Sequence, residues 1–135
     1  MISVLDYGMG NIGSILNMLK WIGVESEVCD DLPSLENVQK LVLPGVGAFD
    51  HAMSRIRELG MFDMLNQKAL VEEIPILGIC LGMQLMTRGS EEGEMEGFGW
   101  IPAEAQRFTE SSSLKIPHMG WNVVNSNKES ELTLG

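Results

Sequence analysis

The sequence is poor in positive charge. Nine Lys and Arg stand against nineteen Asp and Glu, a formal net charge of −10. That balance argues against nucleic acid or an anionic membrane as a partner, because both recruit basic patches. Cysteine and histidine are scarce, with two of each. Cys29 and Cys80 form no CxxC pair, so free thiols in a reducing cytoplasm are expected, without a disulfide framework or a structural zinc site. No stretch approaches the ~20 apolar residues of a membrane span. The opening "MISVLDYG" lacks a basic leader and its apolar run is too short for a signal peptide.

What is present is an ordinary globular composition, 44% hydrophobic and 21% charged over 135 residues, which predicts one domain over 1–135. Its first half alternates strands and helices. "ISVLD" (2–6), "VESEVC" (24–29), "KLVLPG" (40–45) and "IPILGI" (74–79) read as strands. The last of these is apolar throughout, as expected of a strand covered on both faces. Between them, "NIGSILNMLKWIG" (11–23), "AFDHAMSRIRELG" (48–60) and the weaker "MFDMLNQKALVEE" (61–73) carry helical spacing, and "LGMQLMTRG" (81–89) follows as a short helix. This order predicts an α/β fold, a parallel sheet with helices on both sides. Beyond about residue 90 the pattern changes. "EEGEMEGFG" reads as a loop, and "WIPAEAQRF", "LKIPHMGW" and "NVVNS" as a small antiparallel appendage. The chain reaches "ELTLG" without a closing helix, so a further C-terminal portion is expected to be missing.

Three glycine-rich turns are candidates for chemistry. Gly8 to Gly13 matches GxGxxG between a strand and a helix, and Asp30 and Asp31 lie about 20 residues on, as in a dinucleotide fingerprint. Asp6, two residues before Gly8, opposes that reading, because a carboxylate there repels a pyrophosphate. The alternative is a turn shaped for packing. The second is Pro44-Gly45-Val46-Gly47 at a strand's carboxyl end. There glycines can aim backbone N–H groups at a ligand, as in an oxyanion hole, or simply turn the chain.

The third is Gly78-Ile79-Cys80-Leu81-Gly82. It has the form of a nucleophile elbow, with the Leu81 N–H facing a developing oxyanion and a helix N-terminus favouring thiolate. The alternative is a buried structural cysteine. A catalytic thiol needs a base, and only His51 and His118 are available. His51 lies off the apolar face of its helix, and nothing in the spacing requires His118. On the residues alone the chemistry is incomplete.

"DYGMGN" (6–11), "LPGVGAF" (43–49), "GICLGMQL" (78–85), "SEEG" (90–93) and "IPHMGWN" (116–122) occur in this order. Together they resemble the class I (triad) glutamine amidotransferases, and within them the glutaminase subunits of imidazole glycerol phosphate synthases. The resemblance spans essentially the whole chain. It implies a flavodoxin-like fold, no cofactor and no metal. It implies that Cys80 attacks the side-chain amide of glutamine, releasing ammonia to a (β/α)8-barrel synthase partner in histidine biosynthesis. Val46 and Leu81 would supply oxyanion N–H groups. Gly47, Leu81, Gln84 and Glu92 would hold glutamine, and Asn11 and Trp121 would lie near the partner. Two other readings remain: a paralogue serving amidino-sugar synthesis, or a binding or scaffold module. The family's His-x-Glu base and acid do not occur in this sequence, and the histidine of "PHMGWN" is not that base.

Overall fold

The computed structural model describes residues 1–109, 116, 120–127, 129 and 130. Four strands, β1 (Ile2–Leu5), β2 (Ser26–Cys29), β3 (Leu41–Leu43) and β4 (Ile76–Gly78), pair in parallel in the order β2-β1-β3-β4. Five helices accompany them: α1 (Ile12–Trp21), α2 (Leu32–Glu36), α3 (Phe49–Glu58), α4 (Met61–Leu70) and α5 (Leu81–Leu85). The strand order is that of a flavodoxin-like sheet. The chain steps outward in opposite senses from β1 and from β3, so the switch point of the sheet lies between these two strands.

Side chains alternate across the sheet. Leu5, Leu41 and Leu43 enter a core with Leu35, Phe49, Met53, Ile56, Leu65 and Leu85 from α2 to α5. Val4 and Val42 are also buried but stand outside that core, on the face that α1 crosses against β1 and β2. The sequence places Phe49, Ala52, Met53, Ile56 and Leu59 on one face of the α3 segment; the first four are buried and Leu59 packs partly buried against the core.

Three expectations need correction. First, β4 is not covered on both faces among the described residues. Ile76 packs on the core, whereas Leu77 is 45% exposed. The helix on that face, α1, packs chiefly on β1 and β2.

Second, the segment after residue 90 shows no antiparallel pairing among the described residues. A wide loop brings 105 back beside 90, and the isolated bridge Ser90–Ala105 is parallel. The loop is held by Phe62, Phe98 and Trp100, whose rings stack at 5.1 and 4.3 Å between centroids. The Trp100 indole donates to Asn66 Oδ1 at 2.8 Å. Residues 110–113 of the polar turn "TESSS" (109–113) and most of "LKIPHMGW", including His118, lie outside the described residues.

Third, α2 has no counterpart in the sequence reading. It is a five-residue helix opened by a capping box. The Asp31 carboxylate accepts the Ser34 N–H at 2.8 Å, and the Asp31 N–H donates to Ser34 Oγ at 3.3 Å.

Candidate active site

Cys80 stands where β4 turns into α5, at φ 54° and ψ −117°. A non-glycine residue takes such a conformation only where its surroundings enforce it. The Ile79 N–H donates to the Leu43 carbonyl at 3.0 Å, extending the β3–β4 pairing up to the turn. The Gly82 N–H returns to the Ile79 carbonyl at 3.0 Å. Both flanking glycines are sterically required. A Cβ on Gly78 would lie 2.6 Å from Met83 Cα, and one on Gly82 would run into the Leu43 carbonyl. Helix and strand are therefore packed backbone to backbone, and the residue between them is pushed outward.

Of the two thiols, Cys29 is buried and Cys80 exposed. Burial pushes the Cys29 thiol up, and its Sγ takes a 3.4 Å hydrogen bond from Ser34. The structural role weighed for Cys80 thus falls to Cys29.

The Pro44–Gly47 loop packs against this turn. A Cβ on Gly45 would lie 2.7 Å from Tyr7 Oη, 3.0 Å from the Gly82 nitrogen and 3.0 Å from Leu81 Cβ. Gly47 has φ +113°, a region open to glycine. Val46 is 56% exposed. Among the described residues no acceptor meets the N–H of Val46 or of Leu81. Gln84, half-buried, lies one turn along α5, and its N–H bonds the Cys80 carbonyl at 3.2 Å. Val46 and Gly47 in the loop after β3 thus adjoin Cys80 at the end of β4 and Leu81 and Gln84 in the helix α5 that follows it.

Glu92 sits exposed on a separate loop, its N–H bonded to Ser90 Oγ at 3.1 Å. That loop is fastened to the first turn of α3. Asp50 Oδ1 accepts the N–H groups of Glu94 at 3.0 Å and Met95 at 2.9 Å. These bonds hold the Asp50 carboxyl below the usual carboxylate range. His51, next on the same helix, is exposed, as its position off the apolar face predicts.

The GxGxxG turn is built for packing. Asp6 Oδ1 accepts the Gly8 N–H at 2.9 Å, filling a donor that a phosphate would need. Gly10 packs on the Pro44 ring. Asn11 is exposed and caps α1, accepting the Ser14 N–H at 3.2 Å. Asp31 serves α2 as its cap. A groove of about 420 Å³ does exist beside α1, lined by Leu16, Lys20, Glu25 and Glu27. It lies at the β2 edge, across the sheet from Cys80.

Residues 3–135 match the family glutamine amidotransferase class-I. The chain belongs to that family. It is 48% identical over 133 residues to imidazole glycerol phosphate synthase subunit HisH 2 of Methanococcus maripaludis, covering 98% of this chain and 66% of that protein. It is 44% identical over 135 residues to subunit HisH 2 of Pseudomonas aeruginosa, covering 100% and 67%. A crystal structure of a glutamine amidotransferase superposes with TM-score 0.68 at 22% identity, over 78% of this chain and 56% of that one. At that identity the likeness speaks for the fold. The chain spans about two thirds of the length of these curated relatives, 66% and 67%.

Within a class-I glutamine amidotransferase framework, most of the residues named from sequence lie on the Cys80 turn, its helix or the loop beside it. Three do not. Glu92 sits on the separate loop tied to Asp50, Asn11 lies at the carboxyl end of β1, and Trp121 is fully exposed. Two residues in the site's framework escaped the sequence reading, Tyr7 and Asp50. Both act through contacts more than thirty residues away, for which a local pattern carries no signal.

Proposed function

We propose that this chain acts as a glutaminase that delivers ammonia to a synthase subunit. The carrying observation is Cys80, exposed at an enforced positive-φ turn with the Pro44–Gly47 loop packed against it. In this reading Cys80 Sγ attacks the side-chain amide carbon of glutamine. The Val46 and Leu81 N–H groups receive the oxyanion. The C–N bond breaks, the thiol proton leaves with the amine as ammonia, and a γ-glutamyl thioester remains. Water then cleaves the thioester to glutamate and restores the thiol.

Gly47, Leu81 and Gln84 border the substrate, and the Glu92 carboxylate meets its α-ammonium. Neither His51 nor His118 is assigned as base. The names of the relatives support a role in imidazole glycerol phosphate synthesis. The partner is then a (β/α)8-barrel cyclase, met by a surface that includes Asn11 and Trp121. Location in the cytoplasm, where free thiols stay reduced, accords with this chemistry. Among the described residues no helix is long and apolar enough to cross a membrane.

The test is glutamate release by the natural protein with its barrel partner, before and after Cys80→Ala. Release should vanish with the thiol. Release that persists in the variant would remove Cys80 from the mechanism. Stimulation by the phosphorylated ribonucleotide intermediate of histidine biosynthesis is expected, and its absence would overturn the assignment to that pathway.

A further inference from the structure

We propose that Asp50 is a positioning residue, whose carboxylate holds the Ser90–Met95 loop so that Glu92 is set for the α-ammonium of glutamine. This rests on the glutaminase reading above and adds to it a residue outside the sequence motifs.

Both carboxylate oxygens face the loop. Oδ1 accepts the Met95 N–H at 2.9 Å and the Glu94 N–H at 3.0 Å, and Oδ2 also lies 3.0 Å from the Glu94 nitrogen. Such charge-assisted bonds are the stronger kind, and an amide in this place would lack the negative charge and turn an NH2 donor toward the Glu94 N–H. Asp50 lies in the first turn of α3, where an acidic side chain usually serves the free N–H groups of its own helix. Here its bonds run to a loop 44 and 45 residues away.

The neighbouring contacts share one purpose. Gly93 lies so close to Asp50 that any Cβ there would collide with the carboxylate, and it would stand 3.2 Å from Phe49 Cδ1. One turn on, the Ser54 hydroxyl donates to Met95 Sδ at 3.2 Å. Glu92 itself is exposed, with its backbone N–H bonded only inside the loop. Its placement therefore depends on its neighbours, above all on the Gly93–Met95 clamp. α3 also begins directly after Val46, Gly47 and Ala48. One helix start thus carries the loop beside the thiol and fastens the loop of Glu92. Asp50 links the two, and a group held there fixes the distance between reacting carbon and recognised ammonium.

The experiment compares two alkylating probes of Cys80. The chloromethyl ketone analogue of glutamine carries the α-ammonium, and iodoacetamide does not. Modification is followed by mass spectrometry in the wild type, Asp50→Ala, Glu92→Gln and the double variant. Asp50→Ala should raise the half-saturating concentration of the chloroketone about tenfold. The iodoacetamide rate should stay within about twofold, because the thiol's own turn is unaltered. The double variant should be no weaker than Glu92→Gln alone, since both changes remove the same contact.

Unchanged chloroketone saturation in Asp50→Ala, with Glu92→Gln impaired, overturns the role of Asp50 and leaves the glutaminase reading intact. Additive losses also overturn it. Chloroketone labelling without saturation in the wild type overturns the glutamine site itself. Should Asp50→Ala not fold, Asp50→Asn with amide hydrogen exchange decides. Faster exchange at Glu94 and Met95 supports the clamp, and unchanged exchange refutes it.

Discussion

The Tyr7 hydroxyl donates a 2.9 Å hydrogen bond to the Pro44 carbonyl, and both groups are buried. It joins the chain leaving β1 to the chain leaving β3, at the sheet's switch point. Burial pushes the phenol up from its ordinary value, which favours the protonated form that donates. Tyr7→Phe keeps the ring and leaves the Pro44 carbonyl without its donor. The expected cost is about 1–3 kcal/mol, the penalty of an unsatisfied buried acceptor. Urea unfolding reads this directly. A shift in midpoint below about 0.3 kcal/mol would mean that the carbonyl finds another partner.

One substitution should have opposite signs at two glycines. Gly82→Ala places a methyl group into the Leu43 carbonyl, backbone against backbone, where no side chain can move aside. We expect loss of folding, or destabilisation beyond about 3 kcal/mol. Gly13 lies within α1, and a Cβ there meets nothing within 4 Å. Gly13→Ala should stabilise by about 0.5–1 kcal/mol through helix propensity. Paired thermal melts check both. A destabilised Gly13→Ala would show that the third glycine of the GxGxxG turn has a packing or ligand role after all.

These two glycines show what the sequence could and could not disclose. The strand–helix alternation was legible because burial imposes it. "KLVLPG" and "IPILGI" became β3 and β4 with their turns where the glycines place them. The sharp turn at Cys80 was legible because its sterics are local: two glycines two residues either side of the cysteine. The GxGxxG resemblance was local too, and the deciding fact lay in side-chain geometry, with Asp6 taking the Gly8 N–H and Asp31 spent on capping α2. Long-range polar contacts were invisible. Asp50 reads as an ordinary acidic residue in a helix's first turn, and Lys68 as a surface residue of a weak helix. In the fold Lys68 is buried, bonded to the Glu36 carbonyl and to Glu72 at 2.7 Å. Parallel return of residue 105 beside 90 was equally hidden, because a wide loop carries none of the turn signals of a hairpin.

Acid should weaken the fold through named carboxylates. Asp31 is held low by its bonds from Ser34, and Asp50 by the N–H groups of Glu94 and Met95. Glu72 is held low first by its hydrogen bond from Lys68. Each folded value lies below the unfolded one, near 4 for free carboxyls. Their contributions are therefore fully present above about pH 5 and are lost as pH falls through the folded values. Denaturant midpoints taken from about pH 6 down to about pH 2 should fall, and the fall should be shallower in Asp31→Asn and Asp50→Asn. Equal slopes in wild type and variants would show that these carboxylates are not linked to folding.

The turn at Cys80 should store strain that glycine releases. Its φ of 54° and ψ of −117° belong to backbone space that residues with a Cβ rarely occupy. Such residues cost on the order of 1–3 kcal/mol and persist where the surroundings over-determine them. Here Gly78 brings β4 against the backbone of α5, and Gly82 brings α5 against the carboxyl end of β3, which together enforce the conformation. Cys80→Ala keeps the Cβ and the strain. Cys80→Gly removes both, against about 0.5–1 kcal/mol of added freedom in the unfolded chain. Cys80→Gly should therefore be more stable than Cys80→Ala by about 1 kcal/mol, while neither reacts with a thiol reagent at this position. Thermal melts of the two variants decide. Equal or lower stability of the glycine variant would show that the turn is relaxed. The expected order would show a residue kept in a strained turn at the expense of stability, with the exposed thiol as the only evident gain.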